Sequence, residues 1–77
     1  SAKEAGLSWK ERKELEELPA RLEGLEEQRK AFEQTLSDPL VYKGGGDEVA
    51  VATRGLKEAQ DALAVGYARW EELESRQ

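Results

Sequence analysis

Apolar residues spaced alternately three and four positions apart constrain this chain more than any other feature. In the first half the series comprises Leu15, Leu18, Leu22, Leu25, Arg29, Phe32 and Leu36. In the second half it comprises Val49, Ala52, Leu56, Ala59, Leu63, Gly66, Trp70 and Leu73. This alternation is the heptad pattern of a coiled coil, in which an apolar stripe, here called the seam, runs along a helix. The sequence therefore predicts two helices, and neither buries its stripe alone.

The two predicted helices are of similar length and a short link joins them, so we expect them to lie antiparallel. Helix one is predicted over 8–37, because Ser8 followed three residues later by Glu11 has the spacing of a capping box. Helix two is predicted over 48–76, with Asp47 or a neighbour as its cap.

One antiparallel register satisfies the side-chain sizes. It pairs Phe32 with Leu56, Leu25 with Leu63, Leu22 with Gly66, Leu18 with Trp70, and Leu15 with Leu73. Gly66 is predicted to make room for a large side chain. Arg29 is expected to lay its stem over the seam and to extend its guanidinium to water or a carboxylate.

Pro19 disturbs this pattern from inside helix one. A proline within a helix removes one hydrogen bond and collides with the carbonyl four residues earlier, at a cost of roughly 3 kcal/mol. The segment from Ser8 to Leu18 is therefore expected to be either a short separate helix or a bent first section. The predicted fold class is all-α, an antiparallel two-helix coiled-coil hairpin with a kinked or separate short N-terminal helical segment ending near Pro19.

The stretch SDPLVYKGGGDE, residues 37–48, contains the predicted tip of the hairpin, over 38–47. Asp38 before Pro39 stops helix one or caps one short extra turn, and the glycines supply the positive backbone angles that reverse a chain. Tyr42 is expected to fold back against the ends of both helices as a plug.

Composition excludes several kinds of chemistry. The 77 residues include neither cysteine nor histidine, so disulfides, thiol catalysis and imidazole acid–base chemistry are excluded. The run KGGGDE is not a phosphate-binding loop, because its lysine precedes the glycines and no serine or threonine follows. The many carboxylates are interpreted as solvated helix faces. We therefore expect no catalytic, metal or cofactor site in this chain.

No apolar run approaches the roughly 18 residues of a membrane span. Residues 1–6 are interpreted as a linker or a fraying end. We expect a single domain over 1–77 that is monomeric in isolation, cytoplasmic and not attached to a membrane.

Three segments carry a resemblance to a known family. They are LSWKERKELEELPARLEGLEEQ over 7–28, SDPLVYK over 37–43 and YARWEELE over 67–74. In this order and spacing, they resemble the C-terminal domain of ABC-F ATPases of the Uup type, over nearly the whole chain. The family usually has a longer polar tip after the tyrosine and lysine, where this chain has three glycines.

The resemblance implies a coiled-coil hairpin attached to tandem ATP-binding cassettes, which use ATP and magnesium and hydrolyse ATP without a membrane part. It implies no cofactor in the hairpin itself. It also implies nucleic-acid binding, with DNA binding attributed to the Uup type and ribosome action to the wider family.

Nucleic-acid contact has to be reconciled with a net charge of −5, because a footprint on DNA normally needs a basic patch. Cations cluster near the start of helix one, and an antiparallel hairpin returns Arg69 and Arg76 to the same end. Acidic residues dilute that cluster: Glu11, Glu14, Glu71, Glu72 and Glu74. The cluster itself consists of Lys3, Lys10, Arg12 and Lys13, and Lys43 at the tip is a second candidate. The predicted contacts with DNA or ribosomal RNA are Lys10, Arg12, Lys13, Lys43 and Arg69.

Trp9 and Trp70 both fall at or beside the seam near the base of the hairpin, so core packing is expected for both. An exposed tryptophan would instead favour stacking on bases.

Two functions stay open. The first is an accessory nucleic-acid-binding module of an ABC-F ATPase. The second is a protein-interaction or structural arm that contacts the ATPase domains of its own parent chain or a ribosomal protein, and the acidic balance favours this one. An arm that self-associates through unsatisfied seam residues is a third interpretation.

Overall fold

The computed structural model describes residues 6–77. Helix α1 is Trp9–Ser37, a 3₁₀ helix follows at Pro39–Lys43, and helix α2 is Asp47–Arg76. Residues 1–5, which include Lys3 and belong to the expected linker, lie outside the described residues. No strand occurs in the part of the chain that is described, and the all-α fold is confirmed.

The two helices pack side by side as an antiparallel hairpin, a rod of 60 × 15 × 15 Å. Contacts between the helices show the direction: Leu22 lies against Gly66, and Phe32, further along α1, lies against Gly55, earlier in α2. Within the described residues, neither helix combines the length and the apolar character that crossing a bilayer requires.

Helix α1 begins with the predicted capping box. The Glu11 amide donates to the Ser8 hydroxyl at 3.1 Å, and the Ser8 amide donates to a Glu11 carboxylate oxygen at 3.0 Å. These two bonds satisfy donors that would otherwise lack partners at the helix start. Gly46 occupies the cap position of α2. Because glycine has no side chain, α2 begins without a side-chain cap.

Pro19 lies inside α1, which continues from Trp9 to Ser37 without a break. The separate helix that we considered, ending near Pro19, is therefore not formed. Buried residues on both sides of the proline explain the continuity, because Leu15 and Leu18 precede it, Leu22 follows it, and all three pack in the core. Their burial offsets the hydrogen bond that the proline removes.

The core runs along the seam from the tip to the base, the end of the hairpin where α1 begins and α2 ends. There Leu15, Leu18 and Leu73 form a buried cluster, with Leu7 and Trp70 packed against it. The other buried residues are Leu22, Val41, Ala52, Ala59 and Leu63. The remaining predicted seam residues are half-buried: Leu25, Phe32, Leu36, Val49 and Leu56.

Two glycines of α2 accommodate large side chains of α1. A Cβ built on Gly66 would lie 2.6 Å from Cδ2 of Leu22, so the predicted role of Gly66 is confirmed. A Cβ built on Gly55 would overlap three atoms of the Phe32 ring. Phe32 therefore packs against Gly55, whereas the predicted register had paired it with Leu56. The ring occupies the space that the missing side chain leaves.

The tip reverses the chain through the 3₁₀ helix and two glycines. The Asp38 carboxylate accepts the Leu40 amide at 3.0 Å and caps the short helix. Gly45 and Gly46 have φ angles of 93° and 99°, which favour glycine strongly.

Val41, rather than Tyr42, fills the space between the helix ends. Val41 is buried, whereas the Tyr42 side chain is 56% exposed and its hydroxyl donates to the Leu36 carbonyl. The prediction of a Tyr42 plug is therefore wrong. The Val41 side chain has no polar group to satisfy, while the tyrosine hydroxyl needs a partner and finds one at the surface.

Gly55→Leu should lower the free energy of unfolding by about 1 to 3 kcal/mol, because the new side chain has to displace the Phe32 ring. Gly24→Leu is the matched control. No heavy atom lies within 4 Å of a Cβ at Gly24, and replacing a helical glycine should raise stability by up to about 1 kcal/mol. Urea unfolding followed by circular dichroism measures both. Equal effects would contradict the assigned Phe32 contact.

Pro19→Ala should raise the free energy of unfolding by about 1 to 3 kcal/mol, because it restores the amide donor to the carbonyl of Leu15. The Pro19 side chain is exposed, so little packing is lost. Thermal and urea unfolding measure the change. A variant no more stable than the parent would show that α1 already compensates fully for the missing bond.

Candidate nucleic-acid interface

Two arginines of α2 bridge to carboxylates of α1 at the base. Arg76 donates through both terminal nitrogens to the two oxygens of Glu11, at 2.9 and 3.0 Å. Arg69 donates through Nε and Nη2 to the two oxygens of Glu14, at 2.8 and 2.9 Å. Both pairs are bidentate, the geometry in which arginine binds a carboxylate most strongly.

These contacts hold the carboxylates in their charged form. The pKa of Glu11 is lowered to about 2, mainly because the Ser8 amide donates to the carboxylate, and further by the bond from Arg76. The pKa of Glu14 is lowered by the bond from Arg69. The pKa of Arg69 is raised by its bonds to Glu14 and Glu72. Each guanidinium thus faces a negatively charged carboxylate at neutral pH.

Arg69 and Arg76 do return to the base, but their charges are already matched. Arg69 also forms an ion pair with Glu72 at 3.0 Å, so two carboxylates engage its guanidinium. We therefore leave Arg69, predicted as a contact, out of the basic surface defined next. The two arginines also neutralise Glu11 and Glu14, two of the acidic residues that were expected to dilute the cluster of cations.

Three predicted contact residues lie together on the outside of α1. Lys10, Arg12 and Lys13 are all exposed, and none forms an ion pair with another residue of 6–77. Nη2 of Arg12 donates to the Leu7 carbonyl at 3.3 Å, which holds the side chain near the helix start. With Trp9, these three residues form what we call the basic surface.

Trp9 projects from the basic surface into solvent and is 72% exposed. The Lys13 ammonium lies 5.4 Å from the centre of its ring, within the range of a cation–π interaction. Core packing is therefore confirmed for Trp70 and wrong for Trp9. A count along the helix accounts for this, because Trp9 precedes Leu18 by roughly two and a half turns and so lies on the opposite face.

Lys43 lies at the tip, at the other end of the 60 Å rod, and is exposed. It is too far from the basic surface to join the same local contact. Arg29, in the half of α1 nearer the tip, is half-buried and pairs with Glu26 at 2.7 Å and with Glu33 at 2.9 Å. The expected contact of its head with a carboxylate is confirmed. Within residues 6–77, no three carboxylates are grouped as metal ligands would be.

The fold is thus a slender two-helix rod with interhelical ion pairs at its base. The family model of the ABC transporter C-terminal domain matches residues 6–75, and the chain belongs to that family. The resemblance to the C-terminal domain of Uup-type proteins is likewise confirmed by two relatives.

The two relatives are an ATP-binding protein Uup-like and an ATP-binding protein Uup, both of Haemophilus influenzae. Each is 34% identical to this chain over 74 residues, which is 96% of the chain. The chain spans only 16% of the first relative and 11% of the second. No solved structure shows significant similarity to the chain.

The free energy of unfolding should fall as the pH is lowered from about 4.5 to about 2. The pKa of Glu11 is lower in the folded chain than its ordinary value, so its contribution is present above that window and is lost through it. Glu11→Gln should flatten this part of the pH profile, measured by urea unfolding at several pH values.

Glu27→Gln is the matched control, because Glu27 is exposed and forms no hydrogen bond or ion pair through its side chain with the described residues. A profile that both variants change equally would contradict a specific role for Glu11.

Proposed function

We propose that this chain is an accessory nucleic-acid-binding module of an ABC-F ATPase, and that its base binds the phosphate backbone of DNA or ribosomal RNA. The observation that supports this most directly is the basic surface. Three exposed cations surround an exposed tryptophan there, while the nearest carboxylates on α1 are bound to arginines.

Local charge matters more here than the net charge of −5. Charges in solvent are screened over about 8 Å at physiological salt, and the rod is 60 Å long. Most of the acidic side chains along the rod therefore contribute little at the base. Glu16 and Glu17, exposed on the next turn of α1, limit the surface to a short footprint. The expected result is a modest affinity that depends strongly on salt.

Lysine and arginine contacts with phosphates position a protein on nucleic acid and carry no sequence information. With two or three such contacts, the logarithm of the affinity for duplex should fall with the logarithm of salt with a slope of about −2 to −3. The module would therefore bind without regard to sequence and would do no chemistry itself. In this proposal, ATP and magnesium belong to the other domains of the parent protein.

A second function is favoured by exposed apolar residues away from the base. Leu40 is 66% exposed and Tyr42 is 56% exposed at the tip. A tip of this kind suits a protein-interaction arm that touches the ATPase domains of its parent or a ribosomal protein. Such a contact would respond little to salt, which distinguishes it from phosphate binding.

Changing Lys10, Arg12 and Lys13 together to Glu should abolish salt-sensitive binding, because the variant removes every cation of the basic surface. Fluorescence anisotropy of the 77-residue chain with labelled duplex DNA and with a structured RNA, at two salt concentrations, measures the effect. The matched control changes Lys30, Arg54 and Lys57 to Glu, which alters net charge equally but lies away from the base.

The control variant should lose at most a few-fold in affinity. Equal losses in the two triple variants would show that binding follows overall charge and would contradict a local site. If the unchanged chain binds neither ligand at low salt, the nucleic-acid proposal fails and the protein-facing arm becomes the working account.

A further inference from the structure

We infer that Trp9 is a stacking platform for an unpaired base, so that the basic surface selects single-stranded over continuous double-stranded nucleic acid. This inference rests on the proposed function and goes further, because phosphate contacts alone do not distinguish a single strand from a duplex. The evidence is the position of the ring and the cations on either side of it.

Within residues 6–77, the Trp9 ring is not part of the hydrophobic core. Trp9 is 72% exposed, whereas Trp70 packs on the buried cluster of Leu15, Leu18 and Leu73. Trp9 is the first residue of α1, on the face turned away from α2. An indole that faces solvent can stack on a base, because every base presents a flat π face.

Cations lie on both sides of the ring around the helix. At roughly 100° per residue, Arg12 projects about 60° to one side of Trp9, and Lys13 and Lys10 project about 40° and 100° to the other side. The Lys13 ammonium is 5.4 Å from the ring centre, and the Leu7 carbonyl holds the Arg12 guanidinium near the helix start. A strand that crosses α1 with one base on Trp9 therefore meets a positive charge before and after that base.

A continuous duplex cannot use this arrangement. Its base faces are covered by neighbouring base pairs, and only base edges are presented in the grooves. Duplex would thus contact the cations through its phosphates while the ring stayed in solvent.

Nothing in this arrangement reads the sugar. The ring contacts a base face and the cations contact phosphates, so the 2′-hydroxyl that separates RNA from DNA is not recognised. Single-stranded DNA and single-stranded RNA are both expected to bind.

The test is fluorescence anisotropy at low salt with three ligands: oligothymidylate, oligouridylate, and a relaxed covalently closed circular duplex used as a competitor. The circular duplex has no ends and so offers no exposed terminal base. Trp9→Leu removes the ring, and Trp9→Phe keeps a smaller one. Both variants should fold, because the side chain is exposed, and circular dichroism checks this.

Trp9→Leu should lower the affinity for both single strands about tenfold and the affinity for duplex less than about twofold. Trp9→Phe should lose less for single strands than Trp9→Leu. Single-stranded ligand should also quench tryptophan fluorescence in the unchanged chain, and this quenching should be absent in Trp9→Phe, where Trp70 is the remaining tryptophan.

Salt-sensitive binding by the unchanged chain, with the same affinities in Trp9→Leu or an equal loss for single strand and duplex, would overturn the role of Trp9 and leave the proposed function standing. Failure of the unchanged chain to bind any of the three ligands would overturn both and would favour a protein partner for the exposed ring.

Discussion

Two bidentate ion pairs fix the base of this hairpin, and the candidate site depends on them. The Glu11–Arg76 and Glu14–Arg69 pairs join the start of α1 to the end of α2. Ion pairs at a surface contribute little to stability one by one, but a bidentate geometry restricts orientation as well as distance. Together with the buried Leu15, Leu18 and Leu73, they determine which residues of α1 face the partner helix and which face solvent.

The same pairs shape the electrostatics of the base. By occupying two arginines and two glutamates, they leave Lys10, Arg12 and Lys13 as exposed cations around Trp9. An acidic chain thereby presents a small basic surface at one end of a long rod. The rod belongs to the ABC transporter C-terminal domain family, and the chain spans only 16% and 11% of its two relatives.

Close packing along the rod depends on small residues in α2. Gly55 and Gly66 let Phe32 and Leu22 approach the backbone of the partner helix. Ala52 and Ala59 are also buried along the seam of α2. A coiled coil with large residues on both helices at these positions would have to separate them and would lose burial. Nearer the base, the burial of Leu15, Leu18 and Leu22 against α2 offsets the hydrogen bond that Pro19 removes from α1.

The sequence by itself determined the two helices, the capping box, the antiparallel hairpin, the space at Gly66 and the family resemblance. These features depend on periodicity and on residues three or four positions apart, which act within one helix. Only the tertiary structure decided that Gly55 receives Phe32, that Val41 fills the tip, that α1 continues through Pro19, and that Arg69 and Arg76 bind Glu14 and Glu11. Each of these depends on how two helices are rotated and shifted against each other, which a repeating pattern leaves open. The exposure of Trp9 depends on both. Its place opposite Leu18 can be counted along the helix, but only the structure shows that, within residues 6–77, the buried cluster includes Trp70 and leaves Trp9 out.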